Sequence, residues 1–178
     1  MTVLDSAEAS TSAPSIKLRN VGDNIGVAIF DLAKDQDVDM EGNPKFFKNG
    51  NPAERIIISG VVIGGTGVIK DDTGADVPVS EGDEVSIWLT GAKWYNYIQA
   101  KKENPAIKTG TVFTATFANE EAPSNPAHSP KHVWSFSWRD GDNAELTAKC
   151  DALFSAKTAV VLDEADEPMA PAPVEPKF

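Results

Sequence analysis

The stretch "EVSIWLTGAKWYNYIQAKKEN", Glu84 to Asn104, decides the fold class because its periodicity changes partway along. The first part alternates apolar and polar residues, which predicts a β-strand over Glu84–Gly91. The second part, Ala92–Asn104, has no Gly, no Pro and no alternation, and carries lysines near its end, which predicts a short helix. We therefore expect a strand that leads directly into a helix in the middle of the chain.

Four more segments around this stretch have strand character. They are Ile25–Leu32 and Arg55–Ile63 before it, and Gly110–Ala118 and His132–Asp140 after it. Three strands, a helix and two strands follow the order of an OB-fold, a small, partly open Greek-key barrel. The sequence therefore predicts a mostly β, five-stranded OB-fold over residues 16–140, with a flat sandwich as the alternative.

The two ends of the chain differ in composition from this central domain. Residues 1–15 are rich in Ser, Ala and Thr, which predicts a flexible N-terminal arm. A C-terminal helix is expected over residues 141–160, because Asp142 and Glu145 have capping-box spacing before an apolar stripe. That stripe contains Leu146, Cys150, Leu153 and Phe154. Residues 161–178 are acidic and then Pro/Ala-rich, which predicts a disordered tail.

Composition limits the class of protein. The chain has 178 residues, 41% of them hydrophobic and 24% charged, as expected for one soluble domain with tails. Its single cysteine excludes an internal disulfide, and its first residues lack the features of a secretory leader, so we expect a cytoplasmic protein that contacts no membrane. The net charge of −11 argues against nucleic acid, but lysines cluster in residues 42–63 and 91–113, so charge is polarised along the chain.

Signatures of catalysis are weak in this sequence. His128 and His132 flank a Pro-rich loop, Cys150 lies on a predicted helix, and neither a nucleophile motif nor zinc-ligand spacing surrounds them. The acidic run Asp35–Gly42 fails as a calcium loop because Met40 stands where the loop needs glycine. We therefore expect no enzymatic activity, no cofactor and no metal.

The segment "KFFK", Lys45 to Lys48, carries two adjacent aromatic rings between two turn signals. Neighbouring side chains on an extended backbone point in opposite directions, so at most one of Phe46 and Phe47 is easily buried. The other ring, flanked by lysines, is suited to stack on a base of single-stranded nucleic acid. The alternative is that Phe47 fixes the hairpin to the domain while Phe46 has no role.

Other aromatic residues divide between the core and the surface by their strand or helix pattern. Trp88 shares the polar face of its strand with Ser86 and Thr90, and Arg55 faces outward on the neighbouring strand. Trp88 either meets a ligand beside Arg55 or caps a secondary apolar cluster. On the predicted helix, Trp94 and Ile98 are expected to plug the barrel, leaving Tyr95 or Tyr97 nearer the surface. On the last two strands, the pattern predicts a core stripe of Phe113, Phe117, Trp134, Phe136 and Trp138.

Several segments together resemble a known family: "VGDNIGVAIFDL", "DVDMEGNPKFFKNGNPAERIIISGVVI", "KDDTGADVP", "EVSIWLTGAKWYNYIQAKKEN" and "KHVWSFSWRDGD". Over roughly residues 18–140 the chain resembles the OB-fold single-stranded DNA-binding proteins of actinobacteriophages. The matching positions are the Gly22-Asp23 opening and a hairpin with Gly42, Pro44, Lys45, Phe47, Gly50 and Pro52. The acidic loop lacks the paired arginines expected after it. The resemblance implies non-enzymatic binding of single-stranded DNA in phage replication or recombination, in the cytoplasm of a bacterial host.

These expectations define a candidate site. Phe46, Phe47, Trp88 and Tyr95 are predicted to stack on bases, and the predicted phosphate contacts are Lys45, Lys48, Arg55, Lys93, Lys101 and Lys102. Phe178, at the end of the tail, is a candidate contact for replication or recombination proteins, although the tail could instead keep the protein soluble and compete with DNA. The alternative function is a phage structural or assembly protein whose aromatic residues anchor contacts between copies. The oligomeric state stays open.

Overall fold

The computed structural model describes Leu4 and residues 13–165 of the chain, and side chains as far as residue 159. Nine elements lie in this part of the chain. They are β1 (Asn24–Gln36), β2 (Glu54–Gly65), β3 (Val68–Lys70), β4 (Asp76–Pro78), β5 (Glu84–Leu89), α1 (Ala92–Lys101), β6 (Val112–Glu121), β7 (Lys131–Arg139) and α2 (Ala144–Ala165). The five long strands and both helices match the predicted segments, with ends that differ by a few residues.

Five strands form one antiparallel sheet in the order β5-β2-β1-β6-β7. The central strand β1 pairs with β2 along its whole length but with β6 only through Asn24–Ala28. Its pairing with β2 is irregular between Ile29 and Asp31, a feature that bends a strand. The prediction of a mostly β domain built on five strands is confirmed. The sheet is not closed, because β5 and β7 are its two edges and are not hydrogen-bonded to each other.

The core lies on the inner face of this sheet. Alternate residues of β5, Val85, Ile87 and Leu89, are buried there, as their spacing predicted. Of the predicted aromatic stripe, Phe113, Phe117, Phe136 and Trp138 are buried and Trp134 is half-buried.

Helix α1 closes one end of the core with Tyr97, which differs from the sequence prediction. Trp94 and Ile98 pack against the core but are only half-buried, whereas Tyr97 is buried and Tyr95 is exposed. The ring of Tyr97 stacks on Trp138 with 5.5 Å between centroids, which explains why it lies inside. Burial raises the pKa of Tyr97 to about 12.

Helix α2 packs against the outer face of β1 and β2. Cys150 is buried with Ala28, Phe30 and Val61, and Leu146 and Leu153 pack around this cluster. Burial raises the pKa of the Cys150 thiol. Lys157 forms an ion pair with Asp31, which is itself buried on β1. The predicted apolar stripe therefore faces the sheet, and the helix continues past its predicted end at residue 160.

The N-terminal cap of α2 is not the predicted one. Asn143, directly before the helix, accepts a hydrogen bond on its Oδ1 from the amide of Leu146 at 3.0 Å. Asp142 instead pairs with Arg139 at 3.3 Å. The capping-box spacing of Asp142 and Glu145 was misleading, because the helix begins one residue later than that spacing requires.

The N-terminal segment pairs with the edge strand β5, a contact that the sequence did not predict. The amide of Ser86 donates to Pro14, and the amide of Ile16 donates back to Ser86, both at 2.9 Å. Leu4 is buried, and its amide donates to Ile107 at 3.2 Å. The arm expected over residues 1–15 therefore contacts the folded body at each of its described points.

The short hairpin of β3 and β4 lies where the sequence predicted only an acidic loop. Asp76 joins it to the body through Arg19 at 3.0 Å and to its own partner strand through Lys70 at 2.6 Å. Hydrogen bonds from these two cations lower the pKa of Asp76 to about 2. Strands of three residues carry too little periodicity to be recognised from sequence.

Candidate nucleic-acid interface

A folded hairpin, residues 37–53, connects β1 to β2 and presents the two adjacent phenylalanines. Asp37 and Ala53 are hydrogen-bonded at its base at 2.7 Å, and Phe46 bridges to Pro52 near its tip. Gly50 sits in the tip turn with a φ of 85°, a backbone conformation that favours glycine. The turn signals of the sequence thus produce an ordered platform instead of an extended loop.

The two rings of this hairpin point in different directions, as the extended-backbone geometry predicted. Phe46 is 61% exposed. Phe47 is half-buried and lies 5.1 Å from the ring centroid of Trp94, on α1. Phe47 therefore joins the hairpin to the helix, and Phe46 is left with its ring open to solvent.

Trp88 lies on the outer face of β5, directly opposite Ile57 of β2. Its indole Nε1 donates to the hydroxyl of Ser86 at 3.1 Å, and the ring is 36% exposed. The guanidinium carbon of Arg55 lies 5.0 Å from the Trp88 ring centroid, which confirms the expected proximity of these two residues. The aromatic face is therefore fixed by one hydrogen bond and by one cation above it.

Arg55 is itself held by a carboxylate. Its Nη2 donates to Asp35 Oδ2 at 2.6 Å. This hydrogen bond is the main reason that the pKa of Asp35 lies below its ordinary value. Arg55 is thus oriented by Asp35 on one side and by Trp88 on the other.

A second cation–aromatic pair lies where α1 meets β7. The ammonium of Lys93 is 4.3 Å from the ring centroid of Trp134. Asn96 of the same helix donates to the backbone carbonyl of Trp134 at 3.1 Å. Burial lowers the pKa of Lys93, and the charge of Lys17 lowers it further. Trp134 was expected in the core, but it is half-buried because its ring reaches this edge of the sheet.

A groove of about 930 Å³ runs between the hairpin and the start of α1. Aromatic and amide side chains line both the hairpin side and the helix side of this groove, and β7 contributes one lysine. The lining includes Phe47, Asn49, Asn51, Pro52, Trp94, Tyr95, Asn96, one carboxylate from Glu54 and one cation from Lys131. Tyr95 is 58% exposed on this rim, as predicted. Flat rings beside amide groups and few charges suit the faces and edges of nucleic-acid bases.

None of the six predicted cations lines this groove. Lys45 pairs with Asp37 at 3.2 Å, while Lys48 is exposed and forms no ion pair within residues 13–159. Lys101 and Lys102 lie at the far end of α1, about 14 Å from its first residue, since a helix rises about 1.5 Å per residue over these 10 residues. Lys102 donates to Gln99 at 2.8 Å.

Lys101 lines a separate cavity. This cavity has a volume of about 450 Å³ and also contains Lys34 and Tyr97. The structure therefore separates Lys101 and Lys102 from the aromatic residues with which the sequence grouped them. The sequence predicts the helix but does not show which of its two ends faces the site.

Sequence reasoning missed three residues of this region: Lys17, Trp94 as the partner of Phe47, and Lys131. Each reaches the site through a contact between distant segments, for which the sequence holds no local signal. Phe178 lies outside the described residues. Within the described residues, no three His, Cys, Asp or Glu side chains are placed to hold a metal, and no helix is long and apolar enough to cross a membrane.

Comparison with known proteins adds nothing to these contacts. No family model, no curated protein and no solved structure matches this chain.

Proposed function

We propose that the chain binds single-stranded DNA with little sequence preference and has no enzymatic activity. The observation that carries the proposal is the distribution of exposed rings. Three large aromatic side chains are exposed among the described residues, Phe46, Trp88 and Tyr95. They lie on the hairpin, on β5 and on α1, and Tyr95 lines the groove between the hairpin and α1.

We further propose that the open sheet is an OB-fold. Without the small β3–β4 hairpin, the five strands are β1, β2, β5, β6 and β7, with α1 between the third and the fourth. An OB-fold binds oligonucleotides on the face of its second and third strands, and with the loops between its first and second and its fourth and fifth strands. Here these are the β2–β5 face, which carries Arg55 and Trp88, and residues 37–53 and 122–130.

The free energy of stacking favours nucleic-acid bases as the ligands of these exposed rings. An exposed aromatic ring that stacks on a base contributes about 1–3 kcal/mol, whatever the base, because every base has a flat face. Arg55 lies over Trp88, Lys93 lies over Trp134, and Lys48 is exposed two residues from Phe46; these cations would neutralise phosphates.

The biological role that fits such binding is protection or presentation of single strands during bacteriophage DNA replication or recombination, as the family resemblance implies. In this proposal the acidic tail contacts a replication or recombination protein through Phe178. Deletion of residues 163–178 would then abolish capture of that partner, and unchanged capture together with unchanged DNA affinity would contradict a role for the tail.

A gel-shift comparison of one oligonucleotide, single-stranded and as a duplex, tests the binding proposal across a salt series. We expect a shift of the single strand that weakens as salt rises, and a weaker shift of the duplex. Equal affinity for both forms, or no shift at low salt, would contradict the proposal. Light scattering on the same samples separates it from an assembly protein, which would form large oligomers and ignore DNA.

A further inference from the structure

Two lysines share a small cavity at the seam between the sheet edges β5 and β7. The cavity, of about 40 Å³, is lined by Lys17 from the N-terminal segment and by Lys93 from α1. Trp88 of β5 and Trp134 of β7 form its aromatic walls. The cavity therefore brings two lysines and two tryptophans together.

Neither lysine has an acidic partner in the described part of the chain. No carboxylate of residues 13–159 lies within 4.0 Å of the ammonium of Lys17 or Lys93. The contact of Lys93 is instead the face of Trp134, at 4.3 Å. Two neighbouring cations without a carboxylate repel each other, and the partial burial of Lys93 adds a desolvation cost. An anion from outside would therefore stabilise this arrangement.

The start of α1 adds to the positive potential at this point. Lys93 is the second residue of the helix, whose first turn has no acidic residue and whose start has no side-chain cap. The aligned peptide dipoles of a helix give its start a partial positive charge that attracts anions, and here the amide of Lys93 itself donates to the carbonyl of Thr90 at 3.1 Å. The positive potential of the helix start comes from the backbone and is independent of the charges of Lys17 and Lys93.

We propose that Lys17 and Lys93 together bind a phosphate group of the single-stranded DNA backbone at this seam, next to the base that stacks at Trp88. The inference rests on the proposed function and makes the N-terminal segment part of the DNA-binding surface. The strand would pass from the hairpin, across the β5 face, to the seam. Residues 15–18 then do more than cover an edge of the sheet, because they supply one of the two phosphate ligands.

The test measures how the affinity for oligo-dT depends on salt in a double variant, Lys17→Gln with Lys93→Gln. Each phosphate contact on a single strand contributes about 0.7 to the slope of log affinity against log salt. We expect the slope of the double variant to fall by at least about 0.7. Lys149→Gln, on the exposed face of α2, is the matched control and should keep the wild-type slope.

Two further measurements keep the result unambiguous. Lys93→Arg preserves the charge and should preserve the slope, and thermal unfolding should show that the double variant is folded. A folded double variant that binds oligo-dT with the wild-type slope would overturn this inference while the proposed function stands. No oligo-dT binding by the wild-type protein would overturn both.

Discussion

The guanidinium of Arg55 lies over the ring of Trp88, with 5.0 Å between its central carbon and the ring centroid. Asp35 fixes the other side of the same guanidinium at 2.6 Å. The ring and the cation are therefore oriented before any ligand arrives, which lowers the entropy lost on binding.

Replacing Asp35 by Asn should reduce stability at neutral pH but not in acid. The pKa of Asp35 is lowered in the folded protein, so its carboxylate stabilises the fold above the ordinary value of 3.8. That contribution is lost as the pH falls below 3.8 and through the lower folded pKa. Urea midpoints measured across this range should differ between wild type and variant at neutral pH and converge in acid. A difference that persists unchanged in acid would contradict the ion pair.

Phe46→Ala and Phe47→Ala should have different effects. Loss of the exposed Phe46 ring should weaken oligo-dT binding by about 1–3 kcal/mol and leave the unfolding midpoint nearly unchanged. Loss of Phe47 should destabilise the protein by about 1–2 kcal/mol, because its half-buried ring packs on Trp94. Affinity and urea unfolding are measured on both variants. Equal effects on both quantities would show that the two rings do not have separate roles.

Lysines on the proposed path and away from it should behave differently in DNA binding. Lys48→Gln should reduce the salt dependence of oligo-dT affinity by about 0.7 in slope, because Lys48 lies beside the exposed Phe46 and has no described ion-pair partner. The double variant Lys101→Gln with Lys102→Gln should keep the wild-type slope, since both lysines lie at the far end of α1. A larger effect from Lys101 and Lys102 would place the DNA at the C-terminal end of α1.

Asn143→Ala should destabilise the protein by about 1 kcal/mol, the usual cost of losing an N-terminal cap. The amide of Leu146 would lose its acceptor at 3.0 Å. Asp142→Ala is the matched control and should cost much less, because Asp142 makes only an exposed ion pair with Arg139. Thermal unfolding of the two variants checks this. A greater loss of stability from Asp142→Ala would show that Asp142 is the cap of α2, as its spacing predicted.

The long strands and α1 could be predicted because their signals are local. Alternation in Glu84–Leu89 and the glycine-free run of α1 are visible within ten residues, and tertiary packing agrees with both. The opposite directions of Phe46 and Phe47 follow from backbone geometry alone. The same reasoning placed Trp88 beside Arg55, since neighbouring strands bring their outward residues together.

The remaining features depend on contacts between distant segments. Tyr97 is buried because Trp138 offers it a ring to stack on, and helical spacing alone could not choose between Tyr95 and Tyr97. Lys17 joins the seam because Pro14 and Ile16 hydrogen-bond to Ser86, across about seventy residues of sequence. Such pairings leave no trace in local composition, so the cationic seam could not be predicted.

A titration with oligo-dT at low salt, followed by tryptophan fluorescence, tests the central claim most directly. If bases stack on Trp88, the fluorescence should be quenched in a saturable way, and addition of salt should reverse the quench by releasing the DNA. No quench, together with no change in the anisotropy of a labelled oligonucleotide, would contradict the account.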